Sequence, residues 1–328
     1  MLTLPKFQWL RPATVDEALA ALAEVPAKTL LVAGGTDAVP NLKHGLHEPE
    51  RIVHLGAVRE LRFVHVGAER LSIGALVTLD ELTRHAEIRR LHATLAKAAG
   101  LVAGPQLRNM GTIGGNLCLD TRCTYYNQTY FWREALGFCL KKDGVHCHVV
   151  PQGKRCVAAH SSDVAPVLIT LGAEVEIAGP SGRRTIPVEQ FFVGDGVHNN
   201  VLVPGELVTQ IHVPARARTL RGGYQKLRPR NAIDFPMLSV ACALGLANGV
   251  TSELHLVVSA LAAKPRTVGG LDALAGRALD EAAMEQVAQT AYQQCRPQTS
   301  IPYDADWRHE MVPVFVKRAV REAAGGTA

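Results

Sequence analysis

Five of the seven cysteines in this 328-residue chain fall between Cys118 and Cys156. The same stretch holds Tyr125, Tyr126, Tyr130, Phe131, Trp132 and Phe138, in a sequence that is only 5% aromatic. Thiols crowded in this way demand a disulfide framework, a metal or cluster site, or a shared buried core. The cysteine count is odd, and the N-terminal MLTLPKFQWLRPAT lacks a charged head, an apolar core and a small-residue cleavage site. A secreted disulfide scaffold is therefore the weaker reading, and a cytoplasmic location is expected.

Cys123, Cys139, Cys147 and Cys156 form the candidate four-thiolate set. Their gaps of fifteen, seven and eight residues match neither the C-x2-C of zinc ribbons nor the bacterial ferredoxin run. Spacing alone leaves an iron–sulfur cluster, zinc and unrelated buried thiols all open. Arg122, Arg133, Lys141, Lys142, Lys154 and Arg155 would stabilise thiolates, and the aromatic residues would supply an apolar shell or simply pack an irregular loop. His146 and His148 keep a mixed zinc site open, although on an extended segment they face away from Cys147. Cys118, Cys242 and Cys295 read as ordinary buried thiols, and no cysteine has the base and orienting group of a nucleophile.

The length predicts two or three domains. No apolar run is long enough to span a membrane, and a net charge of +5 without blocks of like charge gives no nucleic-acid arm. Neither membrane nor nucleic acid is expected as a partner.

Thr14 and Glu17, and again Thr78 and Glu81, have the spacing of capping boxes opening helices. A buried strand over 29–33 runs into Gly34-Gly35-Thr36-Asp37, and residues 104–116, GPQLRNMGTIGGN, break every period. Each is a candidate backbone cradle for an anion such as pyrophosphate. No G-x-G-x-x-G follows a strand, so the common dinucleotide fold is not supported. Further strands are predicted near 52–55, 63–66, 71–73, 175–177, 184–186 and 207–213. A helix is expected over 91–101 and another over 164–171, with Asp163 as its N-cap or a ligand contact. Residues 214–223 read as a linker; strands near 224–227, 238–246 and 254–261 and helices near 280–295 and 304–324 make an α+β C-terminal unit.

Ala33-Gly34-Gly35-Thr36-Asp37 and Thr112-Ile113-Gly114-Gly115-Asn116, about 75 residues apart, together with Ser162-Asp163-Val164-Ala165-Pro166, Lys226 and Asp234-Phe235-Pro236, resemble the FAD-binding medium subunits of the molybdenum hydroxylase (xanthine oxidase) family. The resemblance implies an α+β fold. An FAD-binding domain would cover 1–216, with subdomains near 1–57 and 58–216, and a C-terminal domain with a small antiparallel sheet plus helices would cover 217–328. For FAD it implies contacts from Leu31, Val32, Ala33, Gly34, Gly35, Thr36, Asp37, Val102, Thr112, Ile113, Gly114, Gly115, Asn116, Asp163 and Lys226.

Roughly forty residues, near 119–159, separate the second cradle from the Ser162-Asp163 motif. Asp120-Thr121-Arg122-Cys123 and Tyr126-Asn127-Gln128 make this insertion similar to that of the β subunits of 4-hydroxybenzoyl-CoA reductases. That likeness implies a [4Fe-4S] cluster on Cys123, Cys139, Cys147 and Cys156. It also implies a large molybdenum-cofactor subunit carrying the substrate site, a small subunit with two [2Fe-2S] clusters, assembly as a dimer of heterotrimers and a ferredoxin donor. The expected role is electron transfer for reductive dehydroxylation of 4-hydroxybenzoyl-CoA. A related hydroxylase acting on another aromatic or heterocyclic substrate, and a flavin-free zinc scaffold, are the alternatives.

Overall fold

The structure, a computed structural model, describes residues 2–326. It is built on three sheets. In the first, β1 (Gln8–Leu10), β2 (Thr29–Val32) and β3 (Arg51–His54) run parallel in the order β1-β3-β2. Parallel strands need a crossover, and the helix Val15–Glu24 lies in the one that joins β1 to β2, across the place that β3 fills between them. The Thr14 hydroxyl caps it by accepting from the Glu17 amide at 3.1 Å, but the Glu17 carboxylate turns to the Ala13 amide rather than to Thr14. At Thr78 both halves of the capping box form.

The second sheet holds β4 (Val64–Val66), β5 (Arg70–Gly74), β6 (Glu174–Gly179), β7 (Gly182–Pro187) and β8 (Leu207–Pro214), antiparallel in the order β4-β5-β8-β6-β7. Leu71, Ile73, Val175, Ile177, Ile211 and Val213 are buried in its core. The helix Val164–Thr170 packs Val164, Val167 and Leu168 into the same core. Each such side chain contributes roughly 1.5–3 kcal/mol when fully buried.

In the third sheet, β9 (Arg221–Leu227), β10 (Leu238–Ala247), β11 (Val250–Ser259) and β12 (Arg266–Thr267) run antiparallel in the order β12-β11-β10-β9. The helices Glu281–Gln294 and Ala305–Ala324 share a core with β10 and β11. Tyr224 of β9 and Ala241 of β10 belong instead to the core of the second sheet, so the two sheets meet through a common apolar interior. Among the described residues no helix is long and apolar enough to cross a membrane.

Local structure departs from the sequence reading at three places. The helix opened at Thr78 is two, Leu79–Arg84 and Ala86–Leu91, separated by His85, whose extended backbone breaks the ladder, while the helix expected over 91–101 is Ala93–Gly100. The aperiodic 104–116 stretch contains two short helices, Pro105–Met110 and Ile113–Leu117, the first opened by Pro105 and the second capped by Thr112. Helices this short have no sustained period to read. The expected linker at 214–223 is a 3-10 turn, Ala215–Thr219, leading into β9, with the Arg218 guanidinium donating to the Gly67 and Ala68 carbonyls.

Candidate functional site

A cavity of about 490 Å³ lies where the two cradles meet. Its size falls within the range of cofactor sites. The first cradle leaves the end of β2 and the second precedes the helix Ile113–Leu117; they touch back to back at Gly34. A Cβ on Gly34 would stand 1.9 Å from the Met110 carbonyl oxygen, so only glycine permits this approach. Gly35 has φ +72°, the left-handed region that favours glycine. Among the described residues no protein acceptor takes the amide hydrogens of Gly34, Gly35 or Thr36, which leaves those donors for a ligand.

Leu31, Val32, Ala33, Gly34, Gly35, Thr36, Asp37, Val102, Thr112, Gly115, Asn116 and Asp163 all line this cavity. Three predicted residues stand behind the wall. Ile113 is a core side chain. Gly114 packs so tightly on Ala75 that a Cβ would come within 2.7 Å of it. Lys226 is buried beneath Asp163, its ammonium 2.8 Å from the carboxylate.

Asp163 does not cap its helix. Ser162 does so, its hydroxyl accepting from the Ala165 amide at 3.1 Å and donating to Asn116 Oδ1 at 2.7 Å. Burial pushes the Asp163 carboxyl up, against the opposing pull of Lys226 and Tyr224. Burial also raises Asp37, opposed by Arg122, whose guanidinium lies 3.0 Å away.

Sequence reasoning missed several wall residues, among them Ala103, Asn199, Ile233 and Phe235. Arg122 lies 4.2 Å over the Phe235 ring, closing one side. Ala103 (φ +42°) and Ile233 (φ +73°) are strained non-glycine residues joined by an Ile233 amide to Ala103 carbonyl bond of 3.1 Å. Neither carries a residue type that announces a site. Asp234-Phe235-Pro236 in the sequence was the one available signal.

The cysteine segment is a closed loop. Arg122 and Ala159 exchange backbone hydrogen bonds of 2.9 and 2.7 Å, pinching its neck. Inside, Cys123, Cys139, Cys147 and Cys156 line one small chamber together with Tyr125, Tyr126, Lys141 and His148. Cys118 is absent from that wall; it faces the flavin-sized cavity instead, and burial pushes its thiol up to about 12. The Val150 amide donates to Cys147 Sγ and the Ala158 amide to Cys156 Sγ, each at 3.4 Å. Such N–H donors favour sulfur in its anionic, metal-bound form. Burial first, and then the neighbouring thiols, raise the Cys123 thiol to about 11 and also raise Cys156. Among the described residues no three His, Cys, Asp or Glu side chains converge tightly enough to hold a single ion.

The basic residues expected around the thiols mostly serve other partners. Arg122 pairs with Asp37; buried Arg133 donates to the His44 and Gly45 carbonyls; Lys142 pairs with Asp143. Lys141 alone stays in the chamber wall, held 2.6 Å from Asp120 Oδ1 and 2.7 Å from the Gly196 carbonyl. The aromatic shell is partial: Tyr126 is buried, whereas Phe131 is 79% exposed on the short helix Tyr130–Ala135, which the sequence reading did not anticipate.

The family model for the FAD binding domain in molybdopterin dehydrogenase matches residues 5–216, and that for the CO dehydrogenase flavoprotein C-terminal domain matches 223–323. The chain belongs to the molybdopterin dehydrogenase flavoprotein family. It is 28% identical to the carbon monoxide dehydrogenase medium chain of Hydrogenophaga pseudoflava, over 97% of each chain. It is 32% identical to the aldehyde oxidoreductase FAD-binding subunit of Escherichia coli, over 73% of this chain and 77% of that one. A solved carbon monoxide dehydrogenase of H. pseudoflava superposes with a TM-score of 0.82 at 26% identity, covering 99% of this chain and 100% of that one.

Membership makes the chain an FAD-binding subunit of a molybdenum hydroxylase-type oxidoreductase. The cavity fits that cofactor. It combines unclaimed backbone donors for a pyrophosphate, glycines that allow close approach, and buried polar side chains at the opposite wall.

Proposed function

We propose that this chain is the electron-transfer flavoprotein subunit of a molybdenum-containing complex and that it carries, besides FAD, a [4Fe-4S] cluster on Cys123, Cys139, Cys147 and Cys156. The observation that carries the cluster is the common chamber lined by four cysteines, three of them buried and Cys123 half-buried, with amide donors on two of the sulfurs. Four thiolates suit a soft iron–sulfur group, and zinc on the same four is the alternative that metal analysis separates. FAD exchanges electrons in pairs or singly and an iron–sulfur cluster singly, so together they relay electrons between carriers of different kinds.

The protein's own part is positional. Leu31 to Asp37 and Thr112 to Asn116 cradle FAD, with Val102 and Asp163 on the facing wall and Lys226 behind Asp163. The 1–216 region is the flavin domain, its 119–159 insertion the cluster domain, and 217–328 the C-terminal domain.

Relatives named as medium chain or medium subunit support partner subunits larger and smaller than this one; the proposed set, which the family resemblance implies, is a large molybdenum-cofactor subunit and a small subunit with two [2Fe-2S] clusters, arranged as a dimer of heterotrimers, with a ferredoxin as donor. The insertion's likeness to 4-hydroxybenzoyl-CoA reductases makes reductive dehydroxylation of 4-hydroxybenzoyl-CoA to benzoyl-CoA the proposed reaction, at a substrate site on the large subunit. A hydroxylase of another substrate is the second reading, favoured by relatives named for carbon monoxide, aldehyde, xanthine and nicotine chemistry. Anaerobic co-purification with the neighbouring gene products, followed by assay with 4-hydroxybenzoyl-CoA and a low-potential donor, separates the two. Benzoyl-CoA formation supports the reductase. An iron-loaded complex that instead oxidises a heterocycle or aldehyde overturns it.

A further inference from the structure

Tyr224 and Lys226 stand behind the wall of the flavin cavity and reach it only through Asp163. They alternate on β9, where residues two apart share a face, and Gln225 between them turns the other way to Glu322. The shared face meets Asp163. The Tyr224 hydroxyl donates to Asp163 Oδ1 at 2.6 Å, and the Lys226 ammonium donates to Oδ2 at 2.8 Å and to the Leu101 carbonyl at 3.0 Å. One lysine thus ties Asp163 to the turn that carries Val102 and Ala103, two residues of the cavity wall.

The burial of this cluster is nearly complete. Tyr224 is fully buried, and the Lys226 and Asp163 side chains are 1% and 4% exposed. A buried carboxylate with its ammonium is a poor source of stability, because desolvation cancels most of the attraction. The helix does not need it either, since Ser162 supplies the cap. What the cluster achieves is orientation: each carboxylate oxygen accepts from a β9 side chain, and Asp163, which lines the cavity, keeps further lone pairs for another donor.

We infer that Tyr224 is a positioning residue for the flavin: with Lys226 it holds the Asp163 carboxylate as a fixed acceptor for an O–H or N–H donor of FAD. The inference rests on the flavin reading of the cavity. It assigns the C-terminal sheet a part in cofactor binding, and it moves Lys226 from contact to support.

The test uses the full-length chain stripped of FAD and titrated with FAD, in wild type, Tyr224→Phe, Lys226→Met, Asp163→Asn and the Tyr224→Phe/Asp163→Asn double variant. Loss of one hydrogen bond to a charged group predicts about tenfold weaker FAD binding for Tyr224→Phe, and Lys226→Met should weaken it at least as much. The double variant should bind no more weakly than Asp163→Asn alone. A pH series adds a readout that packing would not move. The groups facing Asp163 are Tyr224, Lys226 and Arg228, all of which favour its ionised form. Removing the Tyr224 donor should therefore shift the acid loss of FAD to higher pH, and Asp163→Asn should abolish that shift. Unchanged affinity in Tyr224→Phe, or an equal further loss in the Asp163→Asn background, overturns the inference. Thermal unfolding of each FAD-free variant separates affinity from foldedness. A folded wild type that takes up no FAD overturns the flavin reading itself.

Discussion

The flavin cavity and the cysteine chamber lie on either side of Arg122, yet they are built from opposite materials. The cavity is a backbone construction: Gly34 is pressed against Met110, Gly35 lies in the left-handed region, and unclaimed amides sit at the end of a parallel strand. The chamber is a side-chain construction: irregular chain is closed at Arg122 and Ala159 and fastened by Lys141, Arg133 and Tyr126 to elements outside it. A backbone site is shaped by the sheets before any ligand arrives. A side-chain site depends on the loop staying folded around its contents. The two should therefore fail separately.

The largest effect should come from Gly34→Val. Its Cβ would fall 1.9 Å from the Met110 carbonyl oxygen, which must force the cradles apart. The expected result is loss of FAD with destabilisation of about 3 kcal/mol, read by flavin content and denaturant unfolding. Retained iron in that variant would sharpen the separation, whereas joint loss of iron and FAD would break it.

Cys139→Ser is the mirror experiment. Iron should fall to background while most FAD remains, as measured by metal analysis and flavin release. Full iron content would remove Cys139 from the ligand set.

A third prediction concerns the neck, where His160 follows Ala159. His160 is fully enclosed, its ring bonded to Ser259 at 2.9 Å, and burial holds its pKa down to about 3 from 6.5. The folded state thus refuses a proton that the unfolded chain accepts below pH 6.5, so stability falls as pH drops from about 6.5 towards 3. At pH 5 the loss is on the order of 2 kcal/mol from this residue. A calorimetric pH series should show the decline in wild type and a shallower one in His160→Gln.

Smaller still is Arg122→Gln. The ion pair with Asp37 is partly exposed on both sides, so its loss should cost about 1 kcal/mol or less. FAD affinity should drop slightly with iron unchanged. Cys118→Ser should leave iron untouched, since Cys118 faces the other cavity.

The contrast also governs how much was readable from sequence. Backbone devices leave residue-type signatures, so Gly34, Gly35 and Thr78 announced the turns and the cap they make, whereas the cap at Thr112 went unread. The long C-terminal helices were legible from period. The first strand, β1, was not, because three residues carry too little pattern. The chamber's cysteines were visible as a cluster, but nothing in their spacing told Lys141 from Arg133 or Lys142. Only folding revealed that Lys141 stays at the thiols while the other two bind carbonyls and carboxylates. Tyr224 read as one more strand residue, since its partner lies 61 positions away.

The central claim is that one chain holds two separate redox groups. Anaerobic purification of the full chain with its partners, followed by release of this subunit and quantification of its FAD, iron and zinc alongside a visible spectrum, tests it most directly. The account predicts flavin bands over broad iron–sulfur absorption, with four iron atoms per FAD. A flavin spectrum without iron, or zinc in place of iron, would contradict it.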